Sequence, residues 1–239
     1  MLYLLIFVTL AILLYLWPLV KPRRPVLPVL LITENNFSAK SFEKLLQYLQ
    51  KHQFQTLLPS SSLKNPLPTR PLLLVLAGGY QYYFQPLISL LEKYQACAAV
   101  SIPVKYMGEY DAWNQNGPWK NILTADQLLT LQKSGRVEIL SQAMTQAPLH
   151  TLSTEELLWQ LEESKNRLQH HKITVQGLLL PEHTLPTHAL LQTISKHYYF
   201  CIQRKYGNNA WPLTGSSLRV FFFSTFTCLH RLGWKLLRR

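Results

Sequence analysis

The stretch Leu74-Val75-Leu76-Ala77-Gly78-Gly79-Tyr80, LVLAGGY, joins a run of apolar residues to an abrupt end. Apolar residues without polar alternation are typical of a strand that is buried on both faces of a parallel sheet. Two successive glycines then favour a tight turn, because glycine accepts backbone conformations that other residues rarely adopt. The stretch therefore predicts a buried strand that ends at a glycine turn.

Candidate strands and amphipathic helices alternate on both sides of this stretch. The predicted strands are residues 29–33, 72–76, 98–102, 137–140, 177–180 and 199–203. The predicted helices are residues 38–52, a segment around 84–91, two segments that begin with capping boxes at Thr124 and Ser153, and residues 187–197. Residues 60–71 are predicted to form a surface loop, and residues 106–121 a long polar and aromatic binding loop. Such alternation predicts a parallel sheet or barrel wrapped by helices, with functional residues at the strand ends.

The composition allows a packed domain and indicates anionic partners. Hydrophobic residues make up 48% of the 239 residues and charged residues 15%, which excludes global disorder. Three cysteines are too few for a disulfide framework. The net charge of +12 favours lipid headgroups or acidic polymers, but no recognised nucleic-acid-binding motif accompanies it, so a nucleic-acid partner is not predicted.

Residues 1–20 carry no charge and are long enough to span a bilayer, which takes about 20 residues. We interpret them as a single transmembrane anchor, followed by a basic, proline-containing linker at residues 21–27. A cleaved signal peptide and a buried core helix are the alternatives. Lys21, Arg23 and Arg24 predict a cytoplasmic domain on a bacterial inner membrane by the positive-inside rule, and a periplasmic or extracellular domain is the alternative.

Residues 223–239 combine apolar and aromatic residues near helical spacing with Arg231, Lys235, Arg238 and Arg239. A basic amphipathic tail of this kind fits the surface of a membrane that contains anionic lipid. A solvated basic tail after a last core strand is the alternative.

Residues 28–222 resemble the polysaccharide deacetylase family, the NodB-like deacetylases, and most of all the branch that trims poly-N-acetylglucosamine. The resemblance rests on residues 41–49, 86–94, 123–128, 134–139, 152–168 and 218–220. It implies a distorted (β/α) barrel, here preceded by the predicted transmembrane helix.

The residues that carry the family's chemistry are absent from the matching positions. The family's Thr-Phe-Asp-Asp-Gly-Tyr motif supplies a general base and a metal ligand, and those two positions are Ala77 and Gly78 here. Its Ser-His-Thr-x-x-His motif supplies two further metal ligands, and those positions are Gln142 and Gln146. The resemblance therefore implies that the site for zinc or another divalent metal, and the catalytic base, are lost.

A ligand cavity without a catalyst is the predicted result. The residues predicted to line it are Tyr80, Trp113, Trp119, His183, Trp211 and Arg219. Aromatic faces beside a few polar groups suit sugar rings, so we expect a glycan such as poly-N-acetylglucosamine, or a polysaccharide-synthesis protein, as the partner. Two alternatives stay open: a carbohydrate or lipid-linked-sugar deacetylase or hydrolase with an altered site at His150, Glu182 or His183, and a scaffold at the membrane surface.

Overall fold

The computed structural model describes residues 27–64, 66–115, 117–203, 217–219 and 221–222. The predicted anchor, almost all of the linker, Trp211 and the basic tail lie outside these residues. Within the described ranges, no helix combines the length and the apolar character that crossing a bilayer requires.

The described residues contain nine strand segments in one sheet. They are β1 (Val29–Ile32), β2 (Gln55–Leu57), β3 (Pro71–Leu76), β4 (Ala98–Ile102), β5 (Val137–Ser141), β6 (Gly177–Leu179), β7 (Phe200–Gln203), β8 (Ser217–Arg219) and β9 (Phe221–Phe222). All the pairings between them are parallel.

The order of the strands runs β8-β7-β6-β5-β4-β3-β1-β9, with β2 beside the start of β3. β8 pairs with β7, and β9, which begins two residues after β8 ends, pairs with β1. The pairing therefore returns from the last strand to the first, as it does in a barrel. The predicted α/β architecture of parallel strands is confirmed.

In the described residues, six α-helices connect the strands. They are α1 (Ala39–Lys51), α2 (Pro59–Lys64), α3 (Phe84–Lys93), α4 (Ala125–Lys133), α5 (Thr154–His170) and α6 (His188–His197). Both predicted capping boxes are present. At α4, the Gln127 backbone N–H donates to Thr124 Oγ1 (3.2 Å), and the Thr124 backbone N–H donates to Gln127 Oε1 (3.0 Å). These paired bonds satisfy donors that a helix leaves unpaired at its start.

The prediction of an unbroken loop over residues 60–71 is wrong at its start. Residues 59–64 form α2, and β2 precedes it without having been predicted. The backbone N–H of Ser60 donates to Glu138 Oε2 (2.9 Å), so a carboxylate from β5 caps this short helix. The serines by themselves favour a loop, and this distant carboxylate is what the local sequence does not reveal.

Side chains of β3 alternate between two apolar layers. Leu72, Leu74 and Leu76 belong to the layer that packs against the helices. Leu73, Val75 and Ala77 belong to a second layer on the other face of the sheet. Residues of β1, β4, β5, β6 and β7 complete this layer, which fills the interior that the curved sheet encloses. The strand is buried along its whole length, and Ala77 is therefore the last inward residue before the turn.

Candidate functional site

A cavity of about 690 Å³ lies where the strands end. Its lining residues all come from segments that follow the carboxyl ends of β1, β3, β4, β5 and β6. They are Thr33, Glu34, Asn35, Ala77, Gly78, Tyr80, Tyr106, Trp113, Asn114, Gln115, Gln142, Thr145, Gln146, Ala147, Glu182 and His183. The parallel direction of the strands brings these segments together, because all of their carboxyl ends lie at one end of the sheet.

The structure places Ala77, Gly78, Gln142 and Gln146 in the wall of this one cavity. Of the six residues predicted to line a ligand mouth, Tyr80, Trp113 and His183 also line it. Their roles in binding remain predictions.

The other three predicted lining residues do not have that position. Trp119 is absent from the lining, and its side chain is 62% exposed in the loop after β4. Trp211 and the side chain of Arg219 lie outside the described residues.

Gly78 has a backbone conformation that an aspartate rarely adopts. Its φ is +92°, and a Cβ built on it would lie 2.4 Å from Cε2 of Tyr80. The ring of Tyr80 therefore covers the space into which a side chain at position 78 would extend. The family's second aspartate does not fit this turn unless both the backbone and the tyrosine move.

Gln142 and Gln146 bind each other. Gln142 is fully buried, and its Nε2 donates to Gln146 Oε1 (3.1 Å). Ser101 Oγ donates to Gln142 Oε1 (3.1 Å). The two amide side chains thus form a neutral hydrogen-bonded pair in the cavity wall, at positions where the family resemblance implies histidines.

The residues present do not fit the metal site that the family resemblance implies. Zinc is bound mainly by imidazole, thiolate and carboxylate groups. Ala77 and Gly78 supply no side-chain donor atom, and the amide oxygens of Gln142 and Gln146 already accept hydrogen bonds. Among the described residues, no three His, Cys, Asp or Glu side chains lie close enough together to hold a metal ion.

Aromatic rings form one wall of the cavity and continue to the surface. The rings of Tyr106 and Trp113 meet edge to face at 4.8 Å, and Trp113 lies 6.3 Å from Tyr80. Tyr80 in turn stacks on Tyr82 at 5.5 Å with an interplanar angle of 21°. Tyr80 is buried, whereas Tyr82 is exposed. The row of rings therefore extends from the cavity wall to the protein surface.

Carboxylates lie beside this aromatic row. The pKa of the Tyr80 phenol is raised well above its usual value, mainly by burial. A hydrogen bond to Glu34 and the charge of Asp111 raise this pKa further. Burial likewise raises the pKa of Tyr82 to about 12. Both phenols are therefore neutral at physiological pH, and they lie beside the carboxylates of Glu34 and Asp111.

Sequence reasoning missed Glu34. It lies two residues after the end of β1, in the polar run Thr33-Glu34-Asn35-Asn36, and a carboxylate so close to a strand end was the available signal. Its Oε2 lies 3.0 Å from Lys120 Nζ, and the same Nζ lies 5.7 Å from the centre of the Tyr80 ring. An ammonium group of the protein is thus held between a carboxylate and an aromatic face.

The residues considered for an altered catalytic site are only partly brought together. Glu182 and His183 line the cavity. His150 is not among the lining residues, and its Nδ1 accepts a hydrogen bond from the Leu185 backbone N–H (3.2 Å). This contact holds His150 to the segment after β6 rather than in the cavity wall.

Substituting Gly78 with alanine is expected to destabilise the protein by about 2–4 kcal/mol, from the positive φ and from the clash with Tyr80. In a Tyr80→Ala background, Gly78→Ala should destabilise the protein by only about 1–2 kcal/mol, because the strain of the positive φ remains and the clash with the ring does not. Chemical unfolding of the four proteins measures this coupling. Gly117→Ala is the control, expected to change stability by about 0.5 kcal/mol or less, since Gly117 is exposed and a Cβ built on it would lie 3.4 Å from Asn114 Nδ2, an ordinary contact. An equal cost of Gly78→Ala in both backgrounds would show that the ring is not the obstacle.

Comparison with known proteins identifies the fold. No protein-family model matches the chain, and no curated protein matches its sequence. The deacetylase PplD of Streptococcus pyogenes, solved with acetate, is similar with a TM-score of 0.73 at 14% identity, over 87% of this chain and 97% of that one. A polysaccharide deacetylase from Bacillus cereus gives a TM-score of 0.72 at 14% identity, over 89% and 69% of the two chains. A de-N-acetylase from Aggregatibacter actinomycetemcomitans gives 0.71 at 13% identity, over 87% and 99%. The chain has the fold of the polysaccharide deacetylases, as the sequence resemblance implied.

Proposed function

We propose that this chain is a membrane-anchored protein that binds a glycan in the deacetylase-like cavity without catalysing deacetylation. The observation that carries the proposal is the chemistry of one cavity wall. The positions of the family's base and metal ligands are occupied by Ala77, Gly78, Gln142 and Gln146. Aromatic rings and amides are among the side chains that line the remainder.

The loss of catalysis follows from what hydrolysis of an acetamide requires. Water must be activated and the developing charge on oxygen must be stabilised, which the family achieves with a bound metal and a carboxylate base. A positioned general base alone contributes on the order of 10²–10⁴ in rate. Gln142 and Gln146 bind each other, and Ala77 offers a methyl group, so the four positions provide none of these functions.

The rest of the cavity has properties that suit a sugar. Its volume of about 690 Å³ falls within the range of roughly 300–1,000 Å³ that is typical of ligand sites. Tyr106 and Trp113 present aromatic faces, and Asn35, Asn114 and Gln115 present amides that can both donate and accept hydrogen bonds. The similarity to a polysaccharide deacetylase of Bacillus cereus is consistent with a glycan as the ligand. A polysaccharide-synthesis protein is the alternative partner.

Membrane attachment is supported by the sequence at both ends. Residues 1–20 contain no charge, and ten of the 24 basic residues lie before residue 27 or after residue 203. An apolar segment with a basic flank, together with a basic tail, provides two separate contacts with a bilayer that contains anionic lipid. We place the domain on the cytoplasmic side on the strength of Lys21, Arg23 and Arg24.

Metal titration and an activity assay test the absence of catalysis. We expect calorimetry of the detergent-solubilised full chain with zinc, nickel or cobalt to show no stoichiometric binding. We also expect mass spectrometry to show no acetate release from N-acetylglucosamine oligomers, with an active deacetylase as the positive control. Stoichiometric binding together with acetate release would overturn the proposal. If acetate release then disappeared in Glu182→Gln or His183→Ala, it would be assigned to an altered site.

Glycan binding is expected to depend on the aromatic wall. Trp113→Ala should weaken binding of an N-acetylglucosamine or glucosamine oligomer about tenfold or more, since buried tryptophans at binding sites commonly contribute this much. Trp159→Ala is the matched control, because Trp159 is exposed on α5 and does not line the cavity. Glycan-array screening followed by titration measures both, with thermal melting to confirm that the variants fold. Equal affinities of the two variants would place the glycan outside this cavity.

Membrane attachment is tested by fractionation. We expect the full chain to stay in the membrane pellet after carbonate washing, because a spanning helix is not displaced by pH or salt. A variant that lacks residues 223–239 should behave in the same way, and a reporter fused after Arg239 should be active in the cytoplasm. Release of the full chain by carbonate would contradict a membrane-spanning anchor and indicate that the chain only contacts the membrane surface. Reporter activity in the periplasm would contradict the cytoplasmic orientation.

A further inference from the structure

The cavity wall already holds an ammonium group. Lys120 does not line the cavity, but its Nζ lies 3.0 Å from Glu34 Oε2 and 5.7 Å from the centre of the Tyr80 ring, and both of those residues do. A carboxylate beside an aromatic face is the combination that stabilises an ammonium ion, by a charge-assisted hydrogen bond and by the negative face of the ring.

The charges around the cavity favour a cation. The lining residues that the structure describes include two carboxylates, Glu34 and Glu182, and no lysine or arginine. Residues 27–203 contain 14 basic and 12 acidic residues, so this part of the chain is close to neutral. Two described lysines lie close to lining residues: Lys105 Nζ is 5.8 Å from the centre of the Tyr106 ring, and Lys120 Nζ is paired with Glu34. A cationic ligand that displaces the Lys120 ammonium group would therefore meet the Glu34 carboxylate.

We propose that the cavity binds the protonated amine of a de-N-acetylated amino sugar against Glu34 and Tyr80, in competition with the side chain of Lys120. This inference rests on the proposed glycan-binding function and names the class of sugar. An N-acetyl group is neutral and presents no ammonium to Glu34, and a hydroxyl group has the same limitation. The ligand is thus the product of a deacetylation rather than its substrate.

The position of Lys120 allows it to give way to such a ligand. Its side chain is 35% exposed, so it can rotate into solvent at a small cost in free energy. Its backbone is fixed independently, since its N–H donates to Asp111 Oδ1 and its carbonyl accepts from the Asp111 N–H (3.0 Å). Removing the ammonium group should therefore leave the loop in place and open the contact with Glu34.

Three oligomers of equal length and linkage test the proposal: one of glucosamine, one of N-acetylglucosamine and one of glucose. Titration of the full chain in detergent should show that the glucosamine oligomer binds about tenfold or more tightly than the other two, as expected for a charge-assisted contact. Glu34→Gln should remove that preference. Lys120→Met should strengthen binding of the glucosamine oligomer several-fold, because it keeps the apolar stem and removes the competing charge.

The ion pair of Glu43 and Lys93 provides matched controls. Its atoms lie 2.7 Å apart on the surface, and neither residue lines the cavity. Glu43→Gln and Lys93→Met change the net charge of the protein in the same way as the test variants. They should leave all three affinities unchanged, which separates the local contact from a general effect of charge.

Each outcome decides a different question. Binding of the glucosamine and N-acetylglucosamine oligomers with equal affinity by the wild-type protein would overturn the amine preference and leave glycan binding intact, whatever the stability of the variants. A preference that persists in Glu34→Gln would overturn the assignment of the site. Failure of all three oligomers to bind would overturn the proposed function itself, and the inference with it.

Discussion

Burial of β3 on both faces is the constraint on which the rest of this structure depends. One face of the strand packs against the helices, and the other packs inside the curved sheet. A shift by one residue would exchange these two rows of side chains, and each row would then have to fill a space shaped for the other. The register is fixed as a result, with Val29 opposite Leu73 and Val75 opposite Ala99. A fixed register places Ala77 and Gly78 at the open end of the sheet regardless of the chemistry they carry. The cavity is thus a consequence of how the core packs and does not depend on which side chains line it.

The backbone, the ring of Tyr80 and the hydrogen bonds are mutually consistent at the four positions where the resemblance implies a metal site. Gly78 adopts a left-handed conformation, Tyr80 covers the space beside it, and Gln142 and Gln146 hydrogen-bond to each other. A conformation suited to a metal ligand commonly carries strain, because its groups must converge on one point. The neutral arrangement seen here satisfies its own polar groups without any ion. Replacing four residues in a cavity at the strand ends therefore need not weaken the two apolar layers beneath.

The sequence predicted the parts of the fold that local chemistry determines. The strand at residues 98–102 and both capping boxes were placed correctly, since apolar runs and cap residues act within a few positions of the chain. Contacts between distant residues were not predictable in the same way. The carboxylate of Glu138 that caps α2 comes from β5, and the exposure of Trp119 depends on the path of a long loop. The contact between Gly78 and the Tyr80 ring depends on a dihedral angle, which the sequence Gly-Gly permits without requiring.

The sequence resemblance and the structure also direct attention to different parts of the cavity. The resemblance points to positions 77, 78, 142 and 146, where the chemistry of the family is absent. The structure adds the part of the wall next to position 78, where Glu34, Tyr80 and Lys120 form a contact that no family motif marks. An ion pair with a partly exposed lysine contributes little to stability, because water screens the charges and the side chain loses freedom. Stability is thus a weak explanation for a carboxylate beside a ring in a ligand-sized cavity, and recognition of a cation is the stronger one.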